Sequence, residues 1–254
     1  MAQKNIHPYA QSIALRGKNE IAIFLIHGYT GSPTDFNGLP LFLYEHYGVS
    51  VFVPLLPGHG SCVEDLRGFT KDDFIKFTEE ELKPLLSSYS KVIIGGHSFG
   101  GQLALDIASR YPVGGVFVTA LPYKLYFPLS IPRLYEFWHK LSFKEFLKKI
   151  LSSEQKRARI GSFSYEHMPA YGLKLASDMN KELKKSLPKL KHPLLSIFFT
   201  GDSIAHPKSA HEIKKLVGSK INKIMMLDNM GHGVFFTEDA PKIYKEIAKF
   251  FEIR

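Results

Sequence analysis

Residues 92–101 read Val-Ile-Ile-Gly-Gly-His-Ser-Phe-Gly-Gly (VIIGGHSFGG). The opening run is apolar and β-branched, as a buried strand requires, and the stretch after it, 103–111, has helical periodicity. Glycines between the two cost backbone entropy and add nothing to a core, so the turn must need both a tight backbone and the Ser98 hydroxyl. Gly96-His97-Ser98-Phe99-Gly100 matches G-x-S-x-G in the strand–turn–helix setting that gives the pattern meaning. On so sharp a turn the serine is expected to adopt strained backbone and to project its oxygen above the sheet. Gly96 and Gly100 then stand where backbone comes too close for side chains. Free N–H groups at the start of the following helix favour negative charge developing beside Ser98.

Working outward, short apolar runs alternate with helix-period stretches. Strands are expected at 21–26, 50–55, 91–95, 115–120, 194–200 and 223–227. Helices are expected near 34–46, 72–88, 99–111, 171–186, 207–217 and 240–252. Continuous apolar strands between helices predict an α/β fold whose mostly parallel sheet is covered on both faces. The interval after the fourth strand is too long for one crossover helix, which makes about 124–169 an insertion. It is crowded with aromatics and leucines. Its residues 141–151 read either as an amphipathic helix packed on the body or as a cap whose apolar side faces a ligand.

A serine hydroxyl is a poor nucleophile until a base removes its proton. On this kind of turn the partners follow in the chain order serine, acid, histidine. Of the eleven histidines, His232 follows the last strand in a glycine-flanked loop and is the expected base. His27, His59 and His97 lie near other strand ends, and His97 is expected to point elsewhere although it precedes the serine. Asp202, just past the run LLSIFFTG, is the expected acid, with Asp228 and Asp106 as weaker rivals. Two backbone donors should bind the oxyanion: the N–H of Phe99 and the N–H of Tyr29, from the loop His27-Gly28-Tyr29-Thr30-Gly31. Gly28 and Gly31 are expected to let that loop turn towards the serine.

Composition narrows the alternatives. A chain of 254 residues with 44% hydrophobic and 22% charged residues is that of a soluble globular protein. The formal charge of +9 is spread at helical spacing and no nucleic-acid motif accompanies it, so no nucleic-acid partner is expected. The single cysteine, Cys62, allows no internal disulfide. No run is long and apolar enough for a signal peptide or membrane span, and a cytoplasmic location is expected. His211-Glu212 lacks the second histidine of a zinc helix, so no metal is assigned, and no phosphate-binding glycine pattern supports a nucleotide.

The segments IHGYTGSP (26–33), LPGHG (56–60), GGHSFGG (95–101), TGD (200–202) and GH (231–232) together resemble the α/β-hydrolases. More narrowly, the chain resembles bacterial carboxylesterases and monoacylglycerol lipases with a small cap, over about residues 20–254. The resemblance implies an α/β-hydrolase fold and a serine hydrolase acting on a small-molecule ester, with no cofactor. A large apolar cap can support dimerisation, so monomer or homodimer is the expectation. It implies Ser98 as nucleophile, His232 as base, Asp202 as its orienting acid, and Tyr29 and Phe99 as oxyanion donors. The same machinery serves thioesterases, amidases or peptidases and C–C bond hydrolases, and a non-catalytic ligand-binding protein is the alternative from another class. One departure stands out: relatives commonly carry Asp-x-x-Val-x-Pro at the acid, and here Ala205 replaces the valine. That smaller residue is expected to widen a pocket wall or move the acid loop, with His206 a candidate polar lining group.

Overall fold

The computed structural model describes residues 5–126, 161–166 and 168–254. Seven strands form one sheet: β1 (Ile13–Leu15), β2 (Ile21–Ile26), β3 (Ser50–Val53), β4 (Lys91–His97), β5 (Gly115–Thr119), β6 (Leu194–Gly201) and β7 (Asn222–Met230). Their order across the sheet is β1-β3-β2-β4-β5-β6-β7. All neighbours run parallel except β1, which lies antiparallel on β3 with Ile13 opposite Val53. The six expected strands are present, and β1 is an addition. It is only three residues long and closes one edge of the sheet.

Strand alternation sends the two sets of side chains into two cores. From β2, Ala22, Phe24 and Ile26 enter one, and Ile23 and Leu25 the other. The first core is completed by α2 (Lys71–Ser88), α3 (Phe99–Ala108), α4 (Ala170–Ser186) and α5 (Lys208–Leu216) through Phe74, Leu103, Met179 and Ile213. The second is completed by α1 (Leu39–Tyr47) and α6 (Ala240–Phe250) through Leu43 and Ile247. Each such fully buried side chain contributes about 1.5–3 kcal/mol relative to exposure. α3 sits under both the sheet and its neighbouring helices, and all of its residues are buried.

The helix expected over 34–46 is broken. A short 3₁₀ turn, Pro33–Phe36, precedes α1, and Asn37 between them takes φ 45°, a left-handed value no helix accepts. The turn begins on Ser32, whose hydroxyl accepts from the Thr34 N–H. This break sets Asp35 beside the loop after β2. The cap expected over about 124–169 lies for the most part outside the described residues, as does its amphipathic stretch 141–151. Among the described residues no helix is long and apolar enough to cross a membrane.

Candidate active site

The strands that matter end on the same edge of the sheet, their carboxyl ends, where parallel α/β sheets present ligand-binding loops. Ser98 follows β4 directly and serves as the N-cap of α3 with φ 53° and ψ −121°. A non-glycine residue held there costs about 1–3 kcal/mol and needs strong anchoring. The anchors are hydrogen bonds: the Ser98 N–H donates to the Thr119 carbonyl (2.9 Å), and its own carbonyl accepts from the N–H groups of Gly101 (2.9 Å) and Gln102 (3.3 Å).

The flanking glycines are demanded by space. A Cβ on Gly96 would lie 2.3 Å from the Gly100 carbonyl oxygen, and one on Gly100 would lie 2.0 Å from the Ile26 carbonyl oxygen. Backbone cannot step aside as a side-chain tip can. Gly100→Ala is therefore expected to destabilise the protein by about 2–3 kcal/mol, read as a lower urea midpoint at unchanged slope.

The structure brings Ser98, His232 and Asp202 together across three loops. His232 Nε2 is 2.9 Å from Ser98 Oγ, and His232 Nδ1 is 2.8 Å from Asp202 Oδ2. An ionised carboxylate only accepts, so Nδ1 carries the proton and Nε2 turns its lone pair towards the serine hydroxyl. Gly231, with φ 101°, reverses the chain after β7 and so delivers the imidazole to this edge. Its N–H donates to the Gly201 carbonyl (3.3 Å), tying the histidine loop to the acid loop.

Asp202 is 1% exposed, and its second oxygen accepts from the N–H groups of Ile204 (2.7 Å) and Ala205 (3.0 Å). The rivals are engaged elsewhere. Asp228 is exposed and accepts from the Thr200 hydroxyl, whereas Asp106 pairs with Arg110 on α3. Burial opposes a charged imidazole at His232, but the Asp202 charge and hydrogen bond, with a smaller contribution from Asp35, hold its pKa above the ordinary value.

The loop after β2 passes close to Ser98. Gly28 and Gly31 frame the expected turn, which the Gly31 N–H closes on the Gly28 carbonyl (3.1 Å), and neither occupies left-handed backbone. They are glycines because of close approach. A Cβ on Gly31 would lie 1.9 Å from Asp35 Oδ2, and one on Gly28 would lie 3.4 Å from the Ser98 Cβ. His27 accepts the Leu56 N–H at Nε2 (3.0 Å), so its Nδ1–H donates to the Gly28 carbonyl (2.9 Å). The buried His59 sets Nε2 against the Tyr29 carbonyl and Nδ1 against the Pro57 carbonyl (2.9 Å). Burial pushes the pKa of both histidines down, which keeps these rings neutral. With the carbonyls of residues 28 and 29 held from behind, the loop has little freedom. Among the described residues, neither the Tyr29 N–H nor the Phe99 N–H has an acceptor. The Tyr29 side chain turns away and packs edge-on against Phe74 and Phe99.

His97 corrects the sequence reading. It does not point elsewhere: its ring centroid lies 5.0 Å from that of His232, and its Nδ1 is 2.9 Å from the Thr119 hydroxyl. Burial, and next the nearby His232, hold it well below the ordinary histidine range, so it stays neutral beside the candidate base. Ala205 lies on the acid loop, its N–H on Asp202 Oδ1. It is fully buried and pairs with Leu125 in an antiparallel bridge. His206 stacks on Tyr126 at 4.5 Å, and its N–H donates to the Lys124 carbonyl (2.9 Å). On the other side of the undescribed stretch, the Tyr165 N–H donates to the Thr30 carbonyl (2.8 Å), and the Ser32 hydroxyl donates to the Phe163 carbonyl (2.9 Å). Residues 124–126 thus bind the acid loop, and residues 163–165 bind the loop after β2. Among the described residues no cluster of three or more metal-ligating side chains occurs.

A sequence profile of the alpha/beta hydrolase family matches residues 23–246. The chain belongs to this family. It is similar to the thermostable monoacylglycerol lipase of Bacillus sp. (strain H-257), with 24% identity over 239 residues, 91% of this chain and 90% of the relative. It is also similar to the carboxylesterase of Bacillus subtilis (strain 168), with 22% identity over 232 residues, 91% of this chain and 92% of the relative. Among solved structures, the monoacylglycerol lipase of Paleococcus ferrophilus superposes with a TM-score of 0.76 at 17% identity, covering 94% of this chain and 97% of that one. At that identity the superposition speaks for the alpha/beta hydrolase fold.

Proposed function

We propose that this alpha/beta hydrolase is a serine carboxylesterase that cleaves esters with an apolar acyl part, monoacylglycerols among them, through an acyl-enzyme. The observation that carries the reading is the continuous relay from Ser98 Oγ through His232 to the buried Asp202. Two relatives named monoacylglycerol lipase and carboxylesterase, each matching about nine-tenths of the chain, support the choice of ester.

In this mechanism His232 Nε2 takes the proton as Ser98 Oγ attacks the ester carbonyl carbon. The carbonyl oxygen gains negative charge and receives the Tyr29 and Phe99 N–H groups. Collapse breaks the C–O bond to the alcohol, which leaves with the proton from His232. Water then repeats the sequence against the acyl-serine, and His232 serves first as base and then as acid. Asp202 keeps the imidazole in the tautomer that can accept from serine and stabilises the imidazolium in both halves. Only the ester and water are consumed.

The purified protein is expected to hydrolyse p-nitrophenyl esters and monoacylglycerol, and a fluorophosphonate should label Ser98 covalently. Absence of both hydrolysis and labelling sinks the reading. A pH profile gives a second check. His232 must be neutral to accept the proton, and its value is raised above 6.5. Activity should therefore be at its plateau in mildly alkaline buffer and be lost as the pH falls through that raised value. A kcat/KM half-maximum below pH 6 would contradict this assignment of the base.

A further inference from the structure

Asp35 is a carboxylate that the relay does not use, yet it sits inside the loop that carries the Tyr29 amide. Its Oδ2 accepts from the Gly28 N–H at 2.9 Å. The loop closes around it: a Cβ on Gly31 would lie 1.9 Å from Oδ2 and 2.4 Å from both Cγ and Oδ1. Gly31 thus carries no side chain because the carboxylate occupies the space where one would begin. The empty side-chain position of Gly28 borders both this carboxylate and Ser98. A Cβ on Gly28 would lie 3.2 Å from Asp35 Oδ2 and 3.4 Å from the Ser98 Cβ.

The mounting of Asp35 is rigid. Its own N–H donates to the Ser32 carbonyl (2.9 Å), and the next residue, Phe36, is fully buried against Phe235 with ring centroids 5.5 Å apart. The peptide between His27 and Gly28 is therefore pinned at its N–H by Asp35. The following peptide, whose N–H belongs to Tyr29, is pinned at its carbonyl by His27 Nδ1 and the Gly31 N–H. With both fixed, the Tyr29 N–H has one direction left.

We propose that Asp35 is a positioning residue for ester hydrolysis, fixing the peptide ahead of the Tyr29 donor. This rests on the esterase reading above. The titratable groups that bear on His232 are Asp202, Asp35 and the neutral His97, and of the two carboxylates Asp202 has the larger effect.

Two variants separate the parts of the role. Asp35→Asn removes the charge while its amide oxygen can still accept from Gly28, and Asp35→Ala removes both. Histidine NMR titration should show a lower His232 pKa in Asp35→Asn than in the wild type, the direction expected when a nearby negative charge is removed. The acid limb of kcat/KM should move in the same direction, to lower pH. Asp35→Ala should in addition lose about 10- to 100-fold in kcat with KM changed only a few-fold, as expected when an oxyanion donor is misaimed. Thermal unfolding of both variants checks that they fold.

An unchanged His232 titration in Asp35→Asn overturns the placing of the Asp35 charge close to the imidazole. A folded Asp35→Ala with wild-type kcat overturns the positioning part. The titration needs no turnover, so an inactive wild type defeats the esterase reading while this arm still reports on the charge.

Discussion

Ser98→Ala is expected to lower kcat for ester hydrolysis by about 10⁴- to 10⁶-fold, leaving the protein folded and the fluorophosphonate label absent. The size follows from the relay acting as a unit. Without Oγ, His232 has no proton to take, and water must attack from a position that no observed hydrogen bond prepares. The fold should hardly notice. The Ser98 side chain makes no capping bond to α3, and the turn is anchored through its backbone. Alanine meets the same backbone strain at φ 53° as serine does, so the stability change should stay within about 1 kcal/mol. Initial rates with p-nitrophenyl esters, run beside urea unfolding, test both halves. Residual activity above about one hundredth of wild type would place the nucleophile elsewhere.

Asp202→Asn carries the second large effect, about 10³- to 10⁴-fold in kcat. Its amide oxygen can go on accepting from Ile204 and Ala205, so the loop survives. The amide nitrogen then donates towards His232 Nδ1 and forces the proton to Nε2, the position that must be empty to receive the serine proton. Asp202→Ala is a different experiment. It strands two buried N–H groups and should also cost about 1–3 kcal/mol of stability for each one left unpaired. Asp228→Asn is the control: an exposed carboxylate bonded to Thr200 should change kcat by less than about twofold. Equal losses at 202 and 228 would contradict the choice between them.

Much of the frame was legible because it rests on local rules. The apolar runs at 21–26 and 91–95 read as strands because both their faces are buried. Gly96 and Gly100 read as elbow glycines because the turn type demands them. β1 escaped notice because three residues with one exposed face leave too short a signal, and its place on β3 is a long-range pairing. Asp35 and His97 escaped for the same reason. An aspartate two residues after a proline reads as a turn residue, and only the folded loop sets it against Gly31. His97 was assigned away from the site on the geometry of its own peptide, yet its ring is held towards His232 by Thr119, a residue from another strand. The aromatic- and leucine-bearing stretch 127–160, expected to form most of the cap, lies outside the described residues.

The ties at Lys124–Tyr126 and Phe163–Tyr165 carry a consequence for anyone rebuilding this scaffold. They act as two docking posts, one bolted to the support of the acid and the other to the support of an oxyanion donor. A replacement module spliced strictly between them inherits both posts and leaves the chemistry on its original footing. A splice drawn a few residues wider cuts the ties that hold both loops and so disturbs catalytic alignment.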